Sequence, residues 1–126
     1  MTVTRSLVSI VDDDESVRDS LPDLLRQLGF AAEAFPSAQA FLESKFVDET
    51  RCLILDITMP GMSGPELRRE LIARGRDLPT IFITANGDKT VRPRLLAEGA
   101  IECLFKPFSD AALLNALKIA LPEGDI

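Results

Sequence analysis

The chain has 126 residues, and 14 Lys and Arg against 20 Asp and Glu give a net charge of −6. That length can bury one core, and 46% hydrophobic with 27% charged residues reads as a soluble globular chain rather than a disordered one. With no His it carries no Ser-His-Asp or Cys-His nucleophile, no His-ligated zinc and no phosphohistidine of its own, and its acidic balance argues against gripping the phosphates of DNA or RNA.

Leu7 to Val11 is a short apolar run, a first strand, and is far too short for a signal peptide or a membrane span. Ser16 to Leu28 places Val17, Leu21, Leu24, Leu25 and Leu28 at helical spacing and closes on Gly29. Ala31 to Phe35 reads as a second strand. A helix from Ser37 has Ala38, Phe41, Leu42 and Phe46 as its apolar positions. Cys52 to Ile57 is a third strand, apolar throughout except for Asp56. Met59 to Gly64 is a loop, and Pro65 to Ala73 a helix with proline tolerated in its first turn. Thr80 to Thr84 is a fourth strand. The polar loop Asn86-Gly87-Asp88 leads into a helix ending at Gly99. A fifth strand lies within Ile101 to Phe105. Ser109 is suited to cap a last helix whose apolar face is Leu113, Leu114, Leu117 and Leu121.

Strands apolar on both faces and alternating with helices give an α/β fold with a doubly wound parallel sheet, covered on both sides. Such a sheet holds its site at the carboxyl ends of its strands. The chain is expected to form a single domain over residues 1–126, with its core at about 7–121. There is no internal repeat, and Pro122 to Ile126 reads as a tail or the start of a linker. Cys52 and Cys103 are far apart and each lies in an apolar run, so both are expected to be buried, reduced thiols in a cytosolic setting.

The chemistry lies at the strand ends. Strand one ends in Asp12-Asp13-Asp14-Glu15, strand three in Asp56, strand four in Thr84 and strand five in Lys106-Pro107-Phe108. Each has an ordinary explanation. The acidic run suits a solvated helix start, Asp56 a turn, Thr84 a strand end and Lys106 a surface charge. Their joint appearance on one rim is harder to ascribe to chance. Converging carboxylates repel one another unless protonated or bridged by a cation. An all-oxygen acidic set suits a hard divalent ion, Mg²⁺ first. A carboxylate closing an apolar strand is then a metal ligand or a nucleophile. Phosphoryl transfer to it needs a cation, a lysine and a hydroxyl of the kinds present.

In this order, VDDDESVR, LILDITMPGMSGPEL, IFITANGD and FKPF resemble the receiver domains of two-component response regulators, over about Leu7 to Leu121. The MPGMSG and KPF motifs look most like receivers of the nitrogen-fixation-regulator type, which often precede a DNA-binding domain. The resemblance implies a flavodoxin-like (βα)5 sheet of order 2-1-3-4-5 and a cis Lys106-Pro107 bond. It implies that Asp56 accepts a phosphoryl group from a phosphohistidine on a sensor histidine kinase or phosphotransfer protein. Asp13, Asp56 and the Thr58 backbone carbonyl would bind Mg²⁺ directly, and Asp12 through water. Thr84 would hydrogen-bond a phosphoryl oxygen and Lys106 would pair with the phosphate. The partner would dock on the rim at Val17, Arg18, Leu21, Pro107 and Phe108. The module is expected to be a cytoplasmic phosphoacceptor rather than an enzyme, apart from its own phosphotransfer and autodephosphorylation. It would bind neither nucleic acid nor membrane, and would offer its helix 4, strand 5, helix 5 face for a homodimer. It is expected to stand alone or to be one segment of a longer regulator.

Three residues depart from the family pattern. Cys103 stands where a Tyr or Phe switch residue is usual. Pro93 would kink the fourth helix if that helix began at Asp88, and a start near Arg92 avoids this. Pro22 inside the first helix predicts a kink or altered turn. Two enzyme-like or cofactor readings fare worse. An aspartyl-phosphate phosphatase needs a second acid two residues after its nucleophile, where Thr58 stands. A flavin-binding protein needs a Ser/Thr/Gly-rich loop after strand one, where Asp12 to Glu15 would repel phosphate. A pseudo-receiver that only binds partners is disfavoured by the full set of functional types.

Overall fold

The five apolar runs form parallel strands: β1 (Leu7–Val11), β2 (Ala31–Phe35), β3 (Thr50–Asp56), β4 (Thr80–Thr84) and β5 (Glu102–Phe105). In the computed structural model, which describes residues 5–85 and 87–122, they lie in the order β2-β1-β3-β4-β5. Asn86 and the tail residues 123–126 lie outside the described residues. The helices are α1 (Glu15–Gln27), α2 (Ala38–Leu42), α3 (Gly64–Ala73), α4 (Val91–Ala97) and α5 (Asp110–Ala120), with a 3-10 turn at Val47–Glu49. Among the described residues no helix is long and apolar enough to cross a membrane.

The period-two alternation of the strands builds two cores. Val8, Ile10, Cys52, Ile54, Ile81 and Ile83 face one way, against Leu21 and Leu25 of α1 and Leu113 and Leu117 of α5. Leu53, Leu55, Phe82 and Cys103 face the other way, against Phe41 of α2, Leu67 and Leu71 of α3 and Leu95 of α4. Helix starts are fixed by side chains that accept otherwise unpaired N–H groups: Asp14 from Ser16, Ser109 from Ala112, and Ser63 with Glu66 in a reciprocal capping box.

Three helices differ in detail from the sequence reading. α2 ends at Leu42 rather than reaching Phe46. Phe46 instead packs its ring 6.2 Å from Phe35, and the chain then turns through the 3-10 segment. α4 begins at Val91, so Pro93 is its third residue. An N–H there would have no partner within the helix, so the proline removes nothing, and the later start is the one adopted. α1 is one continuous helix from Glu15 to Gln27 with buried Pro22 inside it, a residue earlier at each end than the sequence reading.

Strand order reverses between β1, whose chain goes on to β2 at one side, and β3 at the other. That switch point opens a crevice at the carboxyl ends of β1 and β3. Asp12 follows the first strand and Asp56 ends the second.

Candidate functional site

Asp12 leaves β1 with its backbone fixed, its N–H donating to Phe35 O at 3.1 Å. Asp56 is the last residue of β3, and the next N–H, that of Ile57, donates to Ile83 O at 3.0 Å. Carboxylate oxygens of Asp12, Asp13 and Asp56 thereby come within 4.8 Å of one another. Asp12 is wholly buried, Asp56 is 7% exposed and Asp13 is exposed. Thr84 ends β4, buried, and its carbonyl accepts from the Lys106 N–H at 2.8 Å, which ties the fourth and fifth strand ends together. The Lys106-Pro107 bond is cis. Gly64 lies directly beneath the site. A Cβ there would run into the Asp56 carbonyl and come within 3.3 Å of Ile57 Cα, so only glycine lets the start of α3 approach this closely.

One cation stands among these acids. Lys106 Nζ lies 2.9 Å from Asp12 Oδ2 and 4.0 Å from Asp14 Oδ2. Burial works against its charge, but Asp12, Asp56 and Asp14 together outweigh burial and raise its pKa above the ordinary lysine value. The contact to Asp12 is a close charge pair without hydrogen-bonding angles, so Oδ2 is a buried oxygen with no hydrogen-bond partner. Asp56 is pushed from 3.8 up to about 7, first by burial, then by the charge of Asp12, with Lys106 opposing. The Asp56 carboxylate is thus held near its protonation point, short of positive charge.

The donor set fits a hard divalent cation. It is three carboxylates, one of them wholly buried, and no thiol or imidazole among them. Thr58 sits exposed in the loop just after β3, on the chain that leads from Asp56.

The residues expected to face a partner divide. Val17, Leu21, Leu24, Pro107 and Phe108 line a groove of about 680 Å³ between α1 and the loop after β5, with Lys106 at its edge. Leu21 forms its floor as a core residue only 5% exposed, and Phe108 is half-buried against the same core. Arg18 does not line the groove; its Nη1 donates to Asp12 O at 2.9 Å. Cys103 is buried in the core cluster that holds Phe82 and Leu95, and burial pushes its thiol up, away from reactivity. Beside it, Arg92 of α4 grips Glu102 of β5 through two bonds of 2.7 and 3.1 Å. Sequence reasoning did not find this pair, the Arg18 contact or the Gly64 approach. All three depend on backbone placement, and only the glycine left a trace, in the MPGMSG loop.

The family model for the response regulator receiver domain matches residues 8–118. Nodulation protein W of Bradyrhizobium diazoefficiens is 42% identical over 97% of this chain and 53% of its own length. The transcriptional regulatory protein FixJ of Azorhizobium caulinodans is 40% identical over 90% of the chain and 54% of its own. The chain spans about half the length of the curated relatives it matches. Among solved structures, FixJ-N superposes with a TM-score of 0.80 at 38% identity, covering 94% of each chain. The response regulator StyR gives 0.83 at 47%, covering 94% of this chain and 60% of that one.

Proposed function

We propose that this chain, which belongs to the response regulator receiver domain family of two-component signalling, accepts a phosphoryl group on Asp56. The observation that carries the reading is the Asp12, Asp13 and Asp56 cluster, with Lys106 set against Asp12 where the strands end. The Asp56 carboxylate attacks phosphorus, the bond from phosphorus to the donor's imidazole nitrogen breaks, and an acyl phosphate forms. Asp13, Asp56 and the Thr58 carbonyl would hold Mg²⁺, with Asp12 acting through water. When bound, the ion would neutralise charge on the transferred oxygens. Lys106 supplies a second positive charge at the site, and Thr84 a hydroxyl for a phosphoryl oxygen. The donor is a sensor histidine kinase or phosphotransfer protein seated on the groove at Val17, Pro107 and Phe108. The work is done in the cytoplasm without contact to nucleic acid by this domain, and the α4, β5, α5 face is the surface for a homodimer. Relatives described as transcriptional regulators support transcription control as the output.

The test is direct. Acetyl phosphate with Mg²⁺ should add one phosphoryl group, seen by intact-protein mass, and chelation should block it. Asp13→Ala should weaken Mg²⁺ binding by at least tenfold in calorimetry while the fold survives, since Asp13 is exposed. Unaltered Mg²⁺ affinity in that variant would remove Asp13 from the metal site.

The same reading assigns the switch to the loop after β4. Cys103 has no ring to turn between buried and exposed states, and it is already buried in the core cluster that holds Phe82 and Leu95. The Arg92–Glu102 pair ties α4 to β5 at that point. Phosphorylation should therefore move Thr84 and the loop to Asp88 with the start of α4, and change the β5 face little. Amide exchange with and without a beryllofluoride mimic should differ most at residues 87–92. A dominant change at 102–105, with that loop unmoved, would overturn this assignment.

A further inference from the structure

We propose that Arg18 is a positioning residue of the phosphorylation site, which holds the loop Asp12–Asp14 ready for the metal, and not a contact residue for the partner. The inference rests on the functional reading above, but its geometry is independent of it. Arg18 lies one turn into α1 and is half-buried. Its Nη1 donates to the Asp12 carbonyl at 2.9 Å. With the Asp12 N–H bonded to Phe35 O, both backbone groups of this buried acid are engaged.

The bonds continue through the loop. The Asp14 N–H donates to Asp12 Oδ1 at 2.9 Å, and Asp14 Oδ1 accepts from the Ser16 N–H and hydroxyl at 3.0 and 2.8 Å. The Asp14 carbonyl accepts from the Val17 and Arg18 N–H groups, both at 3.2 Å. Arg18 thus closes a ring that starts at the end of β1 and returns from the first turns of α1. Between the pinned residues stands Asp13, the exposed member of the carboxylate cluster. Its direction is set by the Asp12–Asp13 peptide, whose carbonyl is the group Arg18 holds. A ligand aimed before the cation arrives loses less freedom on binding.

A partner-contact role and a positioning role make different predictions when no partner is present. Arg18→Ala should weaken Mg²⁺ binding about tenfold, as loss of an outer support typically does. It should slow labelling by acetyl phosphate by a similar factor, mainly through a higher Mg²⁺ requirement rather than a lower rate at saturating Mg²⁺. In metal-free protein, exchange of the Asp14 amide should quicken several-fold, a readout that needs no activity. Arg18→Lys, which keeps one donor, should recover part of each loss and covers the case in which the alanine variant folds poorly. Wild-type Mg²⁺ affinity and wild-type Asp14 exchange in both variants would overturn the proposal. If the unaltered protein binds no Mg²⁺, the functional reading falls, and unchanged Asp14 exchange in Arg18→Ala still decides whether Arg18 holds the loop.

Discussion

Asp56→Asn is expected to abolish labelling by acetyl phosphate and, at the same time, to make the protein more stable at neutral pH. The first effect follows from removing the proposed phosphoacceptor. The second follows from electrostatics. Burial and the charge of Asp12 push Asp56 from 3.8 up to about 7, so the folded chain holds this proton where the unfolded chain has lost it. Stability therefore falls as pH rises from about 4 to about 7, and the full penalty applies above that range. At about 1.4 kcal/mol per pH unit, halved because solvent reaches the site at exposed Asp13, the penalty is roughly 2 kcal/mol. Asparagine carries no charge and escapes it. Urea unfolding near pH 8 should favour the variant by about that amount, and the advantage should vanish near pH 4. Labelling that persists in the variant would sink the phosphoacceptor assignment. An advantage that stayed constant with pH would show that charge is not its source.

The sheet was legible because its strands are short apolar runs separated by capped helices. Cys52 to Ile57 could hardly be anything other than a buried strand, and a lone carboxylate near its end stood out. The start of that strand was not legible. Thr50 enters β3 by sharing a buried hydrogen bond of 2.7 Å with Ser9, a partner far away in sequence. Helix two was read too long because Phe46 fits the apolar spacing, and the spacing cannot show that its ring has turned onto Phe35. Of the site, residue types were readable and directions were not. Val17 and Arg18 are neighbours on α1, yet one lines the groove and the other reaches back to a backbone carbonyl. Arg92 and Glu102 sit ten positions apart and meet only because α4 folds back beside β5.

Lys106→Met should produce a large loss of stability. Asp12 is wholly buried, and its Oδ2 has Lys106 Nζ at 2.9 Å and no hydrogen bond. Removing one partner of a buried ion pair leaves the other charge uncompensated, at about 3–5 kcal/mol. Lys106 keeps 18% of its side-chain surface in solvent, so the lower end of that range applies. The loss should shrink as pH falls towards about 7, because without Lys106 to oppose the shift Asp56 takes up its proton already above that value and one of two facing negative charges disappears. Added Mg²⁺ should shrink it as well, by bringing positive charge back to the cluster. Labelling by acetyl phosphate should also slow, with one positive charge fewer beside the transferred oxygens. The decisive comparison is with Lys106→Met combined with Asp12→Asn, in which the wholly buried Asp12 charge is removed together with its partner. Urea unfolding should return that double variant most of the way to wild-type stability. Equal losses in the single and double variants would mean that lysine stabilises the fold through the packing of its methylenes, and that the charge pair contributes nothing.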